Sequence, residues 1–167
     1  MEFIQALGEV GWIDGMMNSS WGWPAVESLH FMGLCLLVGT VGIFDMRMLG
    51  LGNGISIGSL HGLVPWGVGG YAINVLTGML FLVSAPDQYL YNPAFQTKLA
   101  LMCVAGLNVV FFYCFVFGPV KTIPSDADVP FSAKFAAAVS LTCWVGIIIC
   151  GRLITYYRPP YHWCFWC

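Results

Sequence analysis

The stretch PAVESLHFMGLCLLVGTVGIFDMRMLG, residues 24–50, is a nearly unbroken apolar run with Glu27 and His30 near its start and Asp45-Met46-Arg47 near its end. A helix needs about 20 mostly apolar residues to cross a bilayer, and this run supplies them. Composition points the same way. Of 167 residues, 59% are hydrophobic and 8% are charged, with a mean hydropathy of +0.80. Soluble domains carry about a quarter charged residues, so this chain cannot cover a water-facing surface and reads as an integral membrane protein. A net charge of -2 without a basic block excludes a nucleic-acid partner. The lipid bilayer is the expected surrounding.

Three more runs have spanning length: Trp66–Ser84, with Pro65 in its first turn; Lys98–Gly118, stopped by Pro119; and Phe131–Tyr157, stopped by Pro159 and Pro160. The segments between them carry the Gly, Pro, Asn and Asp of connections. The expected fold is therefore all-α, an integral membrane four-helix bundle. Phe3, Leu7, Val10, Ile13 and Met17 recur at helical spacing before it, which predicts an amphipathic interfacial helix. Three regions follow: an interfacial segment over 1–20, a four-span bundle over 21–157, and a tail over 158–167 that ends YHWCFWC. The acidic opening MEFIQALGEVGWIDG lacks the basic start of a signal peptide.

Four spans put both termini on one side, here the terminal face; the opposite side is the loop face. Trp21, Trp23, Tyr89, Tyr91, Tyr156, Tyr157, Tyr161, Trp163 and Trp166 gather on the terminal face as an aromatic belt. The Lys and Arg are evenly divided, and the acidic N-terminal helix favours a periplasmic terminal face, away from anionic cytoplasmic lipid.

Counting 1.5 Å per residue places His30 and Arg152 each about 8 Å inside the terminal face, with Glu27 one turn above His30 and Lys98 opening span three. An ionised group facing lipid costs several kcal/mol. The expectation is a polar chamber in which Glu27, His30, Lys98 and Arg152 face one another. Asn74 and Asn108 fall near the midplane, to bond each other, a ligand, or a neighbouring helix. Asp45 and Arg47, two apart, cannot face each other and are read as a helix-end lock, paired with Lys134 or with backbone carbonyls.

Several chemistries suit these residues. A b-type haem needs two axial ligands close to one iron. His30 is the first; His61 is at the wrong depth, which leaves His162, Met32 or Met102 as the second. His162, Cys164 and Cys167 have metal-like spacing, which His30 would complete as a fourth ligand; a disulfide competes at the cysteines. The methionines and Cys35 are soft enough for Cu(I), though an apolar chain needs no special reason to hold them. The other cysteines lie inside apolar runs as small hydrophobes. No compact enzyme motif is present, so a catalyst acting alone is not expected.

The order of short motifs resembles a bacterial family of small four-span membrane proteins that constitutes a domain of unknown function. The residues carrying the likeness are His30, Asp45 to Gly50, Pro65-Trp66, Thr77-Gly78, Asn92 to Lys98, Asn108 and Gly151-Arg152, within residues 20–157. There is a fainter similarity to copper-resistance membrane domains and membrane b-type cytochromes. The resemblance implies the four-span fold and the bacterial inner membrane, and no activity; YHWCFWC is outside the pattern. The functional expectation is a small membrane redox or cofactor-binding subunit, with haem b or a quinone near the terminal face. Lys98 and Arg152 would hold its acidic groups. The alternatives are a non-catalytic accessory subunit and an ion-handling protein. Other membrane subunits or a homo-oligomer are the expected partners.

Overall fold

The computed structural model describes residues 11–157, apart from 53, 125 and 126 and the side chain of residue 14. It is all-helical there. Eight α-helices run α1 (Gly11–Met17), α2 (Gly22–Met48), α3 (Ile57–His61), α4 (Val64–Ser84), α5 (Pro86–Leu90), α6 (Pro93–Phe111), α7 (Phe117–Lys121) and α8 (Phe131–Leu153). A π-turn over Phe112–Val116 joins α6 to α7. Four stretches are long and apolar enough to cross a membrane: Gly22–Met48, Ile57–Ser84, Pro93–Lys121 and Phe131–Leu153. These are spans one to four, and the chain is a multi-pass membrane protein.

Local chemistry sets the ends. Span one stops in a Schellman motif: Leu51 N–H donates to the Met46 carbonyl at 2.9 Å and Gly50 N–H to the Arg47 carbonyl at 3.1 Å. Gly50 takes the left-handed φ of +92° that this cap requires. Span three starts at Asn92, earlier than the expected Lys98, because Asn92 caps the helix and Pro93 fits its first turn. Pro119 does not stop it. The Phe117 N–H reaches back to the Phe112 carbonyl, a wide π-type bond. Pro119 then falls in the first turn after the register shift, where a missing N–H is tolerated. Span four ends at Leu153 rather than Tyr157, since the Ile154 and Tyr157 carbonyls accept from Asn92 Nδ2, each at 3.0 Å.

Spans one and two pack most extensively, then three with four, then one with four. A Cβ on Gly33 would lie 3.0 Å from the Gly70 carbonyl oxygen, and one on Gly70 would lie 2.6 Å from the Gly33 oxygen. Only glycine lets these backbones touch, a common device where lipid gives helices no hydrophobic reason to associate. Spans two and three are not among the well-packed pairs. The densest core is near the loop face, where Met48, Ile57, Phe112, Val116, Val120, Val129 and Ala133 pack together. The described part of the interfacial segment is α1, with Met17 buried and Trp12 exposed. Residues 1–10 and the tail's His162, Cys164 and Cys167 lie outside the described residues.

Candidate functional site

Polar groups assemble at two levels. Under the terminal face, His30 of span one meets Thr77 of span two, Nδ1 to Oγ1 at 2.7 Å. Thr77 Oγ1 also donates to the Ile73 carbonyl at 2.7 Å. With that proton committed, His30 Nδ1–H donates to Thr77 and Nε2 keeps its lone pair. Phe81 stands edge-on to the imidazole at 5.8 Å and against Trp23 at 5.0 Å. The Lys98 ammonium is within electrostatic reach of His30 and rests near Gly151, where an added Cβ would lie 3.8 Å from Nζ.

Glu27 and Arg152 do not join them. Both are exposed, and among the described residues the one ion pair is Lys134 with Asp128, at 2.8 Å. Helical rise gives no angle around each helix, and near a span end a long charged side chain can turn outward to water instead of inward. The expected buried Glu27–Arg152 pair and four-sided chamber are therefore corrected to a His30–Thr77 contact with Lys98 nearby.

The asparagines serve adhesion rather than each other. Asn74 Nδ2 donates to the Gly70 carbonyl of its own helix at 2.9 Å, over Gly33. Asn108 Nδ2 donates across to the Ala136 carbonyl at 2.9 Å, tying span three to span four. The two asparagines thus bond different backbone carbonyls, Asn74 that of Gly70 and Asn108 that of Ala136.

The second level was missed by the depth argument. Residues from all four spans enclose a cavity of about 350 Å³ toward the loop-face half. Its wall is mostly apolar and aromatic, including Phe44, Tyr71, Met102, Phe112, Tyr113 and Trp144. Asp45, Ser140 and Asn108 add polar atoms. Asp45 is 6% exposed. Ser140 lies beside its carboxyl, and Oδ2 has no hydrogen-bond partner. The expected Asp45–Lys134 pairing is corrected, because Lys134 Nζ is held by Asp128. Arg47 does bond a backbone carbonyl as expected: it is buried, and Nε donates to Ile55 O at 2.9 Å. The sequence signal for this site was a carboxylate inside a spanning run.

The cavity wall contains Met102 but no histidine. His30 is not part of that wall, Met32 is exposed, and His162 lies outside the described residues. No group of three or more His, Cys, Asp or Glu side chains is placed to hold a metal ion among the described residues. His61 belongs to the loop face, stacked on Phe117 at 4.5 Å with Nε2 3.3 Å from the Tyr113 hydroxyl.

Compared with known proteins, the chain matches no family model, no curated protein and no solved structure.

Proposed function

We propose that this protein is a small membrane subunit that binds a lipophilic ring compound in the cavity between its spans. The observation that carries this is the four-walled apolar cavity with one unsatisfied carboxyl oxygen in it. Cavities of about 300–1,000 Å³ lined by apolar groups with a few placed polar atoms are typical of small-molecule sites. The loosely packed seam between spans two and three would give such a compound a route in from lipid. Of the redox alternatives, a quinone suits this wall better than haem, because it needs hydrogen-bonding groups and no axial ligand.

Binding is tested with the full chain in lipid nanodiscs and a photoreactive lipophilic benzophenone. Labelling at Tyr71, Met102 or Trp144, lost in Gly106→Leu, is the expected result. Gly106 lines the cavity and has open space at its Cβ position, so leucine fills the site without a clash at its first atom. Labelling confined to outward residues would refute the proposal. A Soret band in the absorption spectrum of the gently purified protein would favour the haem reading instead. We place the protein in the bacterial inner membrane with periplasmic termini, on the acidic N-terminal segment and the family resemblance, together with other membrane subunits or a second copy.

A second reading, a non-catalytic accessory subunit, is favoured by one observation. Asn74, Asn92 and Asn108 all spend their amides on backbone carbonyls within the fold.

A further inference from the structure

The geometry points to a lipophilic cation as the cavity's ligand, with the Asp45 carboxylate as its counter-ion and the aromatic wall as its cation-binding surface. This rests on the reading of the cavity as a ligand site and deepens it.

Three observations converge. First, Asp45 is more than nine-tenths buried, lines the cavity, and leaves Oδ2 without a partner. An unsatisfied buried acceptor is costly, and more so when charged; a bound cation removes that cost. Second, the protein supplies no cation there. The wall contains no Lys, Arg or His among the described residues. Arg47 turns to the Ile55 carbonyl, Lys134 is held by Asp128, and Lys121 stands over Phe117 at 5.9 Å. Third, Phe44, Tyr71, Phe112, Tyr113 and Trp144 surround the same space. Aromatic faces attract cations through the ring quadrupole, most strongly where water is excluded. A neutral quinone would use the hydroxyls of the site but would leave both the carboxylate and the ring faces without an electrostatic partner.

A cation and a proton compete for the same carboxylate oxygen, so affinity for the cation should rise, never fall, as pH increases. The other groups around Asp45 are few. Ser140 does not titrate in water; Tyr71 and Tyr113 share the wall; His61 touches Tyr113 from outside; and Arg47 and Lys134 keep their charges turned elsewhere.

The probe pair is benzyltrimethylammonium and neopentylbenzene, which differ by one nitrogen in place of carbon. Calorimetric titration uses the full chain in neutral phosphatidylcholine nanodiscs, with empty nanodiscs as reference. The unmodified chain should bind the cation at least tenfold more tightly than its neutral twin. Asp45→Asn should abolish that preference, and Asp45→Glu should keep it. Equal binding of the two probes, both lost in Gly106→Leu, overturns the cation inference and leaves the cavity site standing. A tenfold preference that survives Asp45→Asn also overturns it. No binding of either probe overturns the cavity reading along with it. The probe comparison on the unmodified chain decides the question even if a variant fails to fold.

Discussion

Asn92→Ala tests the fold where the argument is most quantitative. Asn92 is completely buried at the terminal face. Its Nδ2 donates to the carbonyls of Ile154 and Tyr157, each at 3.0 Å, and its Oδ1 accepts from Ala94 N–H at 3.0 Å. One side chain therefore caps span three and ends span four. Three bonds at about 0.6–1 kcal/mol each give a predicted loss of about 2–3 kcal/mol, before any cost of leaving the carbonyls unpaired. Asn92→Asp separates the two roles. The carboxylate still accepts from Ala94, but it turns two donors into acceptors that face two carbonyl oxygens. It should therefore destabilise at least as much as alanine, although Asp is as good a helix cap as Asn. Reversible unfolding in mixed micelles of mild detergent and dodecyl sulfate measures both variants. An alanine loss below about 0.5 kcal/mol, the size of an ordinary surface change, would refute the reasoning. So would an aspartate variant that recovers the parent's stability.

Gly70→Ala should loosen spans one and two severely, by about 2 kcal/mol or more, because its Cβ would lie 2.6 Å from the Gly33 oxygen and 2.8 Å from the Leu37 nitrogen, both backbone atoms. Gly146→Ala should be far milder, since its nearest contact is the mobile Leu101 Cδ1; the same unfolding assay should rank the two in that order. A double-mutant cycle of Thr77→Val with His30→Phe should give a coupling of about 0.6–1 kcal/mol, the usual size of a hydrogen bond between membrane helices; additive losses would place the His30–Thr77 contact outside the folded state. At the loop face, Lys134 and the Val129 N–H hold the Asp128 carboxyl below its ordinary value of 3.8. The folded form thus binds its proton less readily than the unfolded form. The stabilisation is present above that pH and lost as pH falls through the lowered value. Acid titration of unfolding should show a small step there that Asp128→Asn removes; an unchanged profile would mean that the exposed pair contributes nothing.

The spans were legible because lipid asks for length and apolar composition, which a sequence displays directly. The start of span three was legible too: Asn92-Pro93 is a cap followed by a first-turn proline, a stronger signal than the Lys98 chosen from hydropathy. Other features had no local signature. The wide turn at Phe112–Val116 sits in FFYCFVFGPV, whose composition looks like any apolar helix. Helical rise gave an expected depth for Glu27, His30, Lys98 and Arg152 but not direction, and direction leaves Glu27 and Arg152 exposed while His30 turns to Thr77. Asp45 was seen at the end of a helix. Its importance arises only when four helices leave space around it.

That space follows from how the helices are joined. Gly33 and Gly70 draw spans one and two into backbone contact. Asn92 and Asn108 stitch span three to span four at two levels, near the terminal face and deeper in the helix pair. These two pairs meet chiefly through spans one and four, where Asp45 and Ser140 face each other. The remaining seam, between spans two and three, is joined at its loop-face end by His61, which contacts Tyr113 and Phe117. It presents Tyr71 and Val68 on one side and Tyr113, Val109 and Gly106 on the other. The wide π-turn changes the register of span three just there and holds Phe112 inward against Phe44, with ring centroids 5.6 Å apart. Such turns recur at functional sites because a helix keeps them only against better-bonded alternatives. A bundle selected for tightness alone would place a small residue opposite Gly106 and an apolar one at position 45. This chain leaves open space at the first place and has a carboxylate at the second, which is the arrangement expected of a cavity kept open for a ligand.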